Sequence, residues 1–91
     1  SLRAKAIENL PEAEVMQRDL KHQIEREVAQ LQKTISRSSL RASKPGAAHQ
    51  LNLLYARMRR LNGLLAEILE AGYDMIKRLY IRIFIDKQTV I

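Results

Sequence analysis

The sequence predicts an all-α fold, an antiparallel hairpin of two long amphipathic helices. Leu, Ile, Ala, Glu, Arg, Lys and Gln dominate the composition, and these residues favour helix. Apolar residues recur at helical steps of three and four in two long stretches, which a serine-rich segment ending in Pro-Gly separates. The 91 residues are enough for one domain, residues 1–91. Because so short a chain buries only about 60% of its unfolded surface, we expect the hairpin to dimerise into a four-helix bundle.

The first helix is predicted over residues 11–36. Pro11 is tolerated in a first helical turn, and the helix dipole favours acids at Glu12 and Glu14. The apolar residues that follow fall on one stripe about 120° wide. This stripe consists of Met16, Leu20, Ile24, Val28, Leu31 and Ile35. Residues 2–9 form either a separate helical turn or an extension of this helix that bends at Pro11.

Residues 37–46 are predicted to form the loop between the two helices. Serine is frequent from Ser36 to Ser43, and its side chain competes for local backbone hydrogen bonds. Pro45-Gly46 adds a strong turn signal. A loop of about ten residues is longer than a minimal helix–helix turn and lets the second helix return antiparallel to the first.

The second helix is predicted over residues 47–84. Its apolar face consists of Leu51, Leu54, Tyr55, Met58, Leu61, Leu65, Ile68 and Leu69. Gly72 would normally favour a helix end. However, the same stripe continues in Ile76, Leu79, Tyr80 and Ile83, and one glycine costs only about 1 kcal/mol relative to alanine. We therefore expect the helix to run through Gly72.

Residues 79–85 carry a competing signal for a β-strand. Ile81, Ile83 and Ile85 alternate strictly, and β-branched residues favour strands. A strand here would need a partner strand, and the sequence offers none of comparable quality. Residues 86–91 are predicted as an irregular or strand-like tail.

The apolar arc of the second helix is wider than one neighbouring helix covers. Burying one such side chain is worth about 1.5–3 kcal/mol, so we expect a second surface to cover the remainder. The residues predicted to form the dimer interface are Leu51, Leu54, Tyr55, Met58, Leu61, Leu65 and Ile68. Another helical chain supplying the missing helices is the alternative to a homodimer. Asn62 at the edge of the stripe is either a solvated boundary residue or a register-setting asparagine.

The net positive charge of the chain comes from one window. The net charge is +6, and no Asp or Glu occurs from Val28 to Ala66. The predicted basic patch consists of Lys33, Arg37, Arg41, Lys44, Arg57 and Arg60, the last two on the non-core side of the second helix. Such a patch attracts an acidic protein surface or the phosphates of a nucleic acid.

No motif for catalysis, metal binding or cofactor binding is predicted. There is no Cys, and three glycines are too few and too dispersed for a phosphate-binding loop. Asp19, His22 and Glu25 have the spacing of helix-bundle metal ligands, but His22 lies opposite the apolar stripe. We therefore expect these three side chains to be solvated and the chain not to be an enzyme.

These observations favour a non-enzymatic helical oligomerisation and protein-interaction module that presents a basic end. The alternative is a nucleic-acid-binding accessory protein that uses the basic loop and the outer face of the second helix. No run of about 18 apolar residues is present, so no membrane-spanning segment is predicted, and a cytoplasmic location is expected. The first residue is Ser1 rather than Met, which favours a fragment of a longer protein.

Overall fold

A computed structural model describes residues 1–41 and 43–91, and all regular structure in these ranges is helical. The all-α prediction is therefore confirmed. The elements in chain order are α1 (Leu2–Glu8), α2 (Ala13–Ser39), α3 (Ala47–Glu70), α4 (Tyr73–Tyr80) and a π-helix (Ile81–Ile85) that continues α4. Ala42, which belongs to the predicted loop, lies outside the described residues.

The helices α2 and α3 pack side by side as an antiparallel hairpin. Near the start of α2, the side-chain amide of Gln17 donates a 2.8 Å hydrogen bond to the carbonyl oxygen of Ile68, near the end of α3. Further along, Arg57 Nη2 lies 3.8 Å from Glu27 Oε2. Residue numbers rise on one helix as they fall on the other, which defines the antiparallel direction.

The first half of the chain differs from the prediction in its boundaries. A separate helix α1 precedes α2, and its first turn is capped by Ser1 Oγ, which accepts a 3.2 Å hydrogen bond from the amide of Ala4. The helix α2 extends to Ser39 rather than ending at residue 36. The serines at its end therefore stay helical, and the connection to α3 is shorter than the predicted loop 37–46. Gly46 enters α3 with a left-handed φ of +80°.

The prediction of one continuous helix over residues 47–84 is wrong. The helix α3 ends at Glu70, because Ala71 and Gly72 are both extended, with ψ of 145° and 176°. These two residues redirect the chain, so that α4 packs against α2. The apolar residues Ile76 and Leu79 are buried as their periodicity implied, but on an element with a different direction from α3.

The alternative of a strand over residues 79–85 is also wrong. The α4 helix passes into the π-helix without interruption, and the amide of Asp86 donates a 2.8 Å hydrogen bond to the carbonyl oxygen of Ile81, five residues earlier. Residues 86–91 have no regular structure. Their backbone folds back on the π-helix, where Arg82 Nη2 donates a 2.6 Å hydrogen bond to the carbonyl oxygen of Val90.

One hydrophobic core joins all of these elements except α1. It consists of Met16, Leu20, Ile24, Leu31, Ile35, Leu61, Ile68, Ile76, Leu79, Ile83 and Val90. The α1 helix has no buried residue and packs against the π-helix. Its attachment includes a bidentate ion pair in which Arg3 Nε and Nη2 donate to the carboxylate of Asp86 at 2.6 and 3.0 Å.

Candidate functional site

The helix α3 carries two apolar stripes that face in different directions. The first, here called the inner seam, consists of Leu54, Leu61, Leu64 and Ile68. Leu61 and Ile68 are fully buried in the core, and Arg57 on the same stripe contacts Glu27 of α2. The inner seam is therefore the surface through which α3 packs against α2.

The second stripe of α3, here called the outer seam, lies about 90° around the helix from the first. It consists of Leu51, Tyr55, Met58, Asn62, Leu65 and Leu69. Leu51, Met58 and Leu65 are half-buried, Tyr55 is 47% exposed and Leu69 is 55% exposed. Asn62, near the middle of the stripe, is exposed. These steps of four and three are the spacing of a coiled-coil contact surface.

The C-terminal segment borders a groove on the opposite flank of α3. This groove is lined by Arg60, Leu64 and Glu67 of α3, by Leu79 of α4, and by Arg82, Val90 and Ile91, which follow α4. On a helical projection, Arg60, Leu64 and Glu67 all fall on the side away from the outer seam. The residues of α4, the π-helix and the tail that line this groove therefore lie on one side of α3, whereas the outer seam presents the exposed side chains of Tyr55, Asn62 and Leu69.

The structure divides the predicted dimer interface between the two seams. Leu54, Leu61 and Ile68 belong to the inner seam, whereas Leu51, Tyr55, Met58 and Leu65 belong to the outer seam. Leu51, Met58 and Leu65 are half-buried at the edge of the core, and Tyr55 is exposed. Leu69 and Asn62 were not included in the predicted interface, although both continue the outer seam. The alternating steps of four and three from Leu51 to Leu69 would have separated the two stripes.

The turn of the hairpin forms a basic end. Lys33, Arg37, Arg41 and Lys44 are all exposed, and none has a carboxylate within ion-pair distance among the described residues. Arg41 and Lys44 line an open cavity of about 280 Å³ together with Ser38 and Gln50. The first turn of α3 carries no acidic residue, so the positive end of its dipole adds to the charge of the side chains.

The two remaining residues of the predicted basic patch have different surroundings. Arg57 is half-buried, and its guanidinium lies 3.8 Å from the carboxylate of Glu27 rather than on a free outer face. Arg60 is exposed and borders the groove that also contains Glu67. Among the described residues, the cations of the basic patch without a carboxylate at ion-pair distance are therefore Arg60 and the four at the hairpin turn, whereas Arg57 lies beside Glu27.

The residues with metal-ligand spacing are not brought together with further ligands. His22 and Glu25 are exposed, and Asp19 lies 3.4 Å from the guanidinium of its neighbour Arg18. Over residues 1–41 and 43–91, no group of three His, Asp or Glu side chains is placed to hold a metal ion. In the same ranges, none of the helices combines the length and the apolar character needed to cross a membrane.

Comparison with known proteins gives no relative for this chain. No protein-family model, no curated protein and no solved structure matches it.

Proposed function

We propose that this chain is a non-enzymatic helical module that oligomerises through the outer seam of α3 and presents its basic end to an acidic partner. The observation that carries the proposal is the exposure of Tyr55 and Leu69, which lie with the exposed Asn62 on one coiled-coil stripe of α3. Large apolar side chains that align on one exposed face mark interaction surfaces more often than isolated ones do.

The shape of the chain supports the same proposal. Its radius of gyration is 16.2 Å, whereas a compact domain of this length has a radius of gyration of about 12 Å. The extents of 52, 29 and 15 Å describe a thin plate, and a plate has a high ratio of surface to buried core. A second helical layer on the uncovered flank would increase the buried apolar area that stabilises the fold.

Sedimentation velocity across the micromolar concentration range tests the oligomerisation. We expect the wild-type chain to form dimers and Leu69→Glu to sediment as a monomer with unchanged helical content. Leu53 is the matched control, because it is 52% exposed on the same helix but lies on the opposite flank. Leu53→Glu is expected to leave the dimer intact. A wild-type chain that remains monomeric throughout this range would contradict the proposal.

The basic end favours a second candidate, a nucleic-acid-binding accessory protein. Lys33, Arg37, Arg41 and Lys44 are exposed without a described acidic neighbour, and the phosphate backbone binds such cations with strong salt dependence. Against it, Tyr80 and Phe84 stack on each other at a centroid distance of 4.7 Å on the C-terminal segment, away from the turn. The turn therefore has no aromatic platform for bases.

Binding of duplex and single-stranded probes between about 50 and 200 mM salt distinguishes the two candidates. A nucleic-acid-binding protein should lose affinity steeply over this range, and Arg37→Ala with Arg41→Ala should reduce both the affinity and the salt slope. Arg78→Ala, an exposed cation on α4, is the charge-matched control. Absence of binding at the lower salt concentration would exclude the second candidate and leave the first.

A further inference from the structure

The outer seam has the heptad pattern of one strand of a two-stranded coiled coil. Leu51, Met58 and Leu65 occupy the d positions, and Tyr55, Asn62 and Leu69 the a positions. Leucine at d and a single asparagine at a are features of parallel coiled-coil dimers. Leu61 and Ile68 occupy g positions, which directly precede the a positions, and both are already buried against α2.

The chain exposes more surface than a compact monomer of its mass, and the difference is close to the area that one partner loses in a stable interface. The accessible surface is 6470 Å². A compact monomer of 10.5 kDa exposes about 5,400 Å², so the excess is about 1,000 Å². Each partner of a standard stable interface loses about 800 Å². The excess is therefore of the size that one stable interface would cover, and a second chain of similar size is sufficient to cover it.

Asn62 indicates the direction of the partner helix. Its side chain makes no hydrogen bond with the described residues of its own chain. In a parallel, in-register pair, Asn62 meets Asn62 of the second copy, and two amides supply each other with a donor and an acceptor. In an antiparallel pair centred on the seam, Asn62 meets Met58 instead, and its amide remains unsatisfied in an apolar contact.

Arg59 supports the same direction. It is exposed beside the outer seam, at the e position of the heptad pattern. An antiparallel pair brings e positions together and places Arg59 next to Arg59 of the second copy, which is a repulsive contact. A parallel pair instead places the methylenes of Arg59 against apolar residues of the second copy such as Leu54, and the guanidinium stays in water.

We infer that a second copy of this chain docks on the outer seam, with its α3 parallel to the first α3 and in register, and with Asn62 paired to Asn62. This inference rests on the proposed function and specifies its partner and geometry. The four helices then follow the order α2, α3, α3, α2, and the two basic turns lie side by side at one end. The dimer therefore presents one basic surface of twice the charge.

Disulfide trapping tests the geometry directly, because the native chain contains no cysteine. Leu69→Cys is expected to form a disulfide-linked homodimer rapidly under mild oxidation, and Tyr55→Cys to do the same. Leu53→Cys, equally exposed on the opposite flank, is the matched control and should not be trapped. Efficient trapping between Leu51→Cys and Leu69→Cys chains, in preference to the homodimers, would overturn the parallel arrangement.

Asn62 provides an independent test that does not need a cross-link. Asn62→Asp should weaken the dimer by about tenfold or more at neutral pH, because two like charges meet at the seam. Asn62→Leu should tighten the dimer and admit the mixed Leu51–Leu69 disulfide, since the register-setting pair is lost. Gln30→Glu, at an exposed position on α2, controls for the change in charge. Unchanged affinity in Asn62→Asp would overturn the inference.

The outcomes separate this inference from the proposed function. A dimer in sedimentation that is trapped through other positions contradicts the parallel seam and leaves the proposed function standing. A wild-type chain that stays monomeric and gives no specific disulfide contradicts both. A dimer that Leu69→Glu disrupts and that Leu69→Cys traps supports both.

Discussion

Two arginines on one helix illustrate how position decides whether a charge is free. Arg57 points along the inner seam towards Glu27, whereas Arg60, three residues later, lies on the exposed surface. Glu27 Oε2 is buried and accepts no hydrogen bond from the described residues, so the nearby guanidinium is its main source of stabilisation. A charge in the acid-free window is therefore not always available to a partner.

We predict that Arg57→Ala lowers the free energy of unfolding by about 1 kcal/mol, because a buried carboxylate oxygen loses its compensating charge. Arg60→Ala is the control and should change the stability by less than about 0.5 kcal/mol, as surface substitutions usually do. Urea unfolding followed by circular dichroism measures both values. Equal effects of the two substitutions would show that the Glu27–Arg57 contact does not stabilise the hairpin.

At two glycines, substitution by alanine tests backbone preference alone, because there is room for the added Cβ. A Cβ added at Gly63 or at Gly46 would meet no atom within 4 Å. Gly63 lies inside α3, so Gly63→Ala should stabilise the chain by about 1 kcal/mol through helix propensity. Gly46 has a φ of +80°, so Gly46→Ala should destabilise it by about 1 kcal/mol. Thermal unfolding midpoints that move in the same direction would contradict this assignment.

At the scale of helices, periodicity predicts which residues are buried better than it predicts which neighbour covers them. The stripe that includes Met16, Leu20 and Ile24 is buried as the α2 sequence indicates. The stripe of residues 47–84 is also apolar throughout, yet it belongs to two helices that pack differently. Gly72 gave a local signal for the break, but the continuing apolar stripe favoured a helix through it. The packing of α4 against α2 has no signal in the local pattern.

An ion pair contributes to the attachment of the α1 helix, which makes this attachment sensitive to acid. The hydrogen bonds from Arg3 lower the pKa of Asp86 below its ordinary value of 3.8, with a further contribution from the positive charge. A group whose folded pKa is lowered stabilises the fold above its unfolded pKa, and this contribution is lost as the pH falls through the folded pKa. The attachment of α1 should therefore be complete at neutral pH.

We predict that α1 separates from the π-helix below about pH 4 before the hairpin unfolds. Amide hydrogen exchange should show faster exchange of residues 4–8 at such pH, with α2 and α3 still protected. Asp86→Asn should show the fast exchange of α1 already at neutral pH. If residues 4–8 and α3 lose protection together in both experiments, α1 is not an independent unit.

For the whole molecule, the acid-free window predicts the basic end but not its extent. The cations at the turn follow from the sequence, because no acid is close along the chain. The pairing of Arg57 with Glu27 depends on the register of the hairpin, which the sequence pattern does not specify. Likewise, the outer seam becomes distinct from the inner seam only once α2 is known to cover Leu61 and Ile68.

The inferred parallel dimer has a consequence for its response to salt. It brings two sets of Arg37, Arg41 and Lys44 to one end, where their repulsion opposes association. Raising the salt concentration from about 0.05 to about 0.5 M shortens the screening length to a few ångströms, so the dimer should tighten. Sedimentation equilibrium at the two concentrations measures this change. An acidic partner or a nucleic acid bound at the same end should show the opposite trend.

A charge-reversed variant separates this repulsion from a general effect of salt on apolar contacts. Arg41→Glu with Lys44→Glu makes the turn nearly neutral, so the variant dimer should be tighter than wild type at low salt and should respond much less to added salt. Arg18→Glu with Lys21→Glu, at exposed positions near the start of α2, is the control. Its dimer should respond to added salt as the wild-type dimer does. A dimer that weakens with added salt would instead place the two basic turns apart, as an antiparallel pair of α3 helices requires.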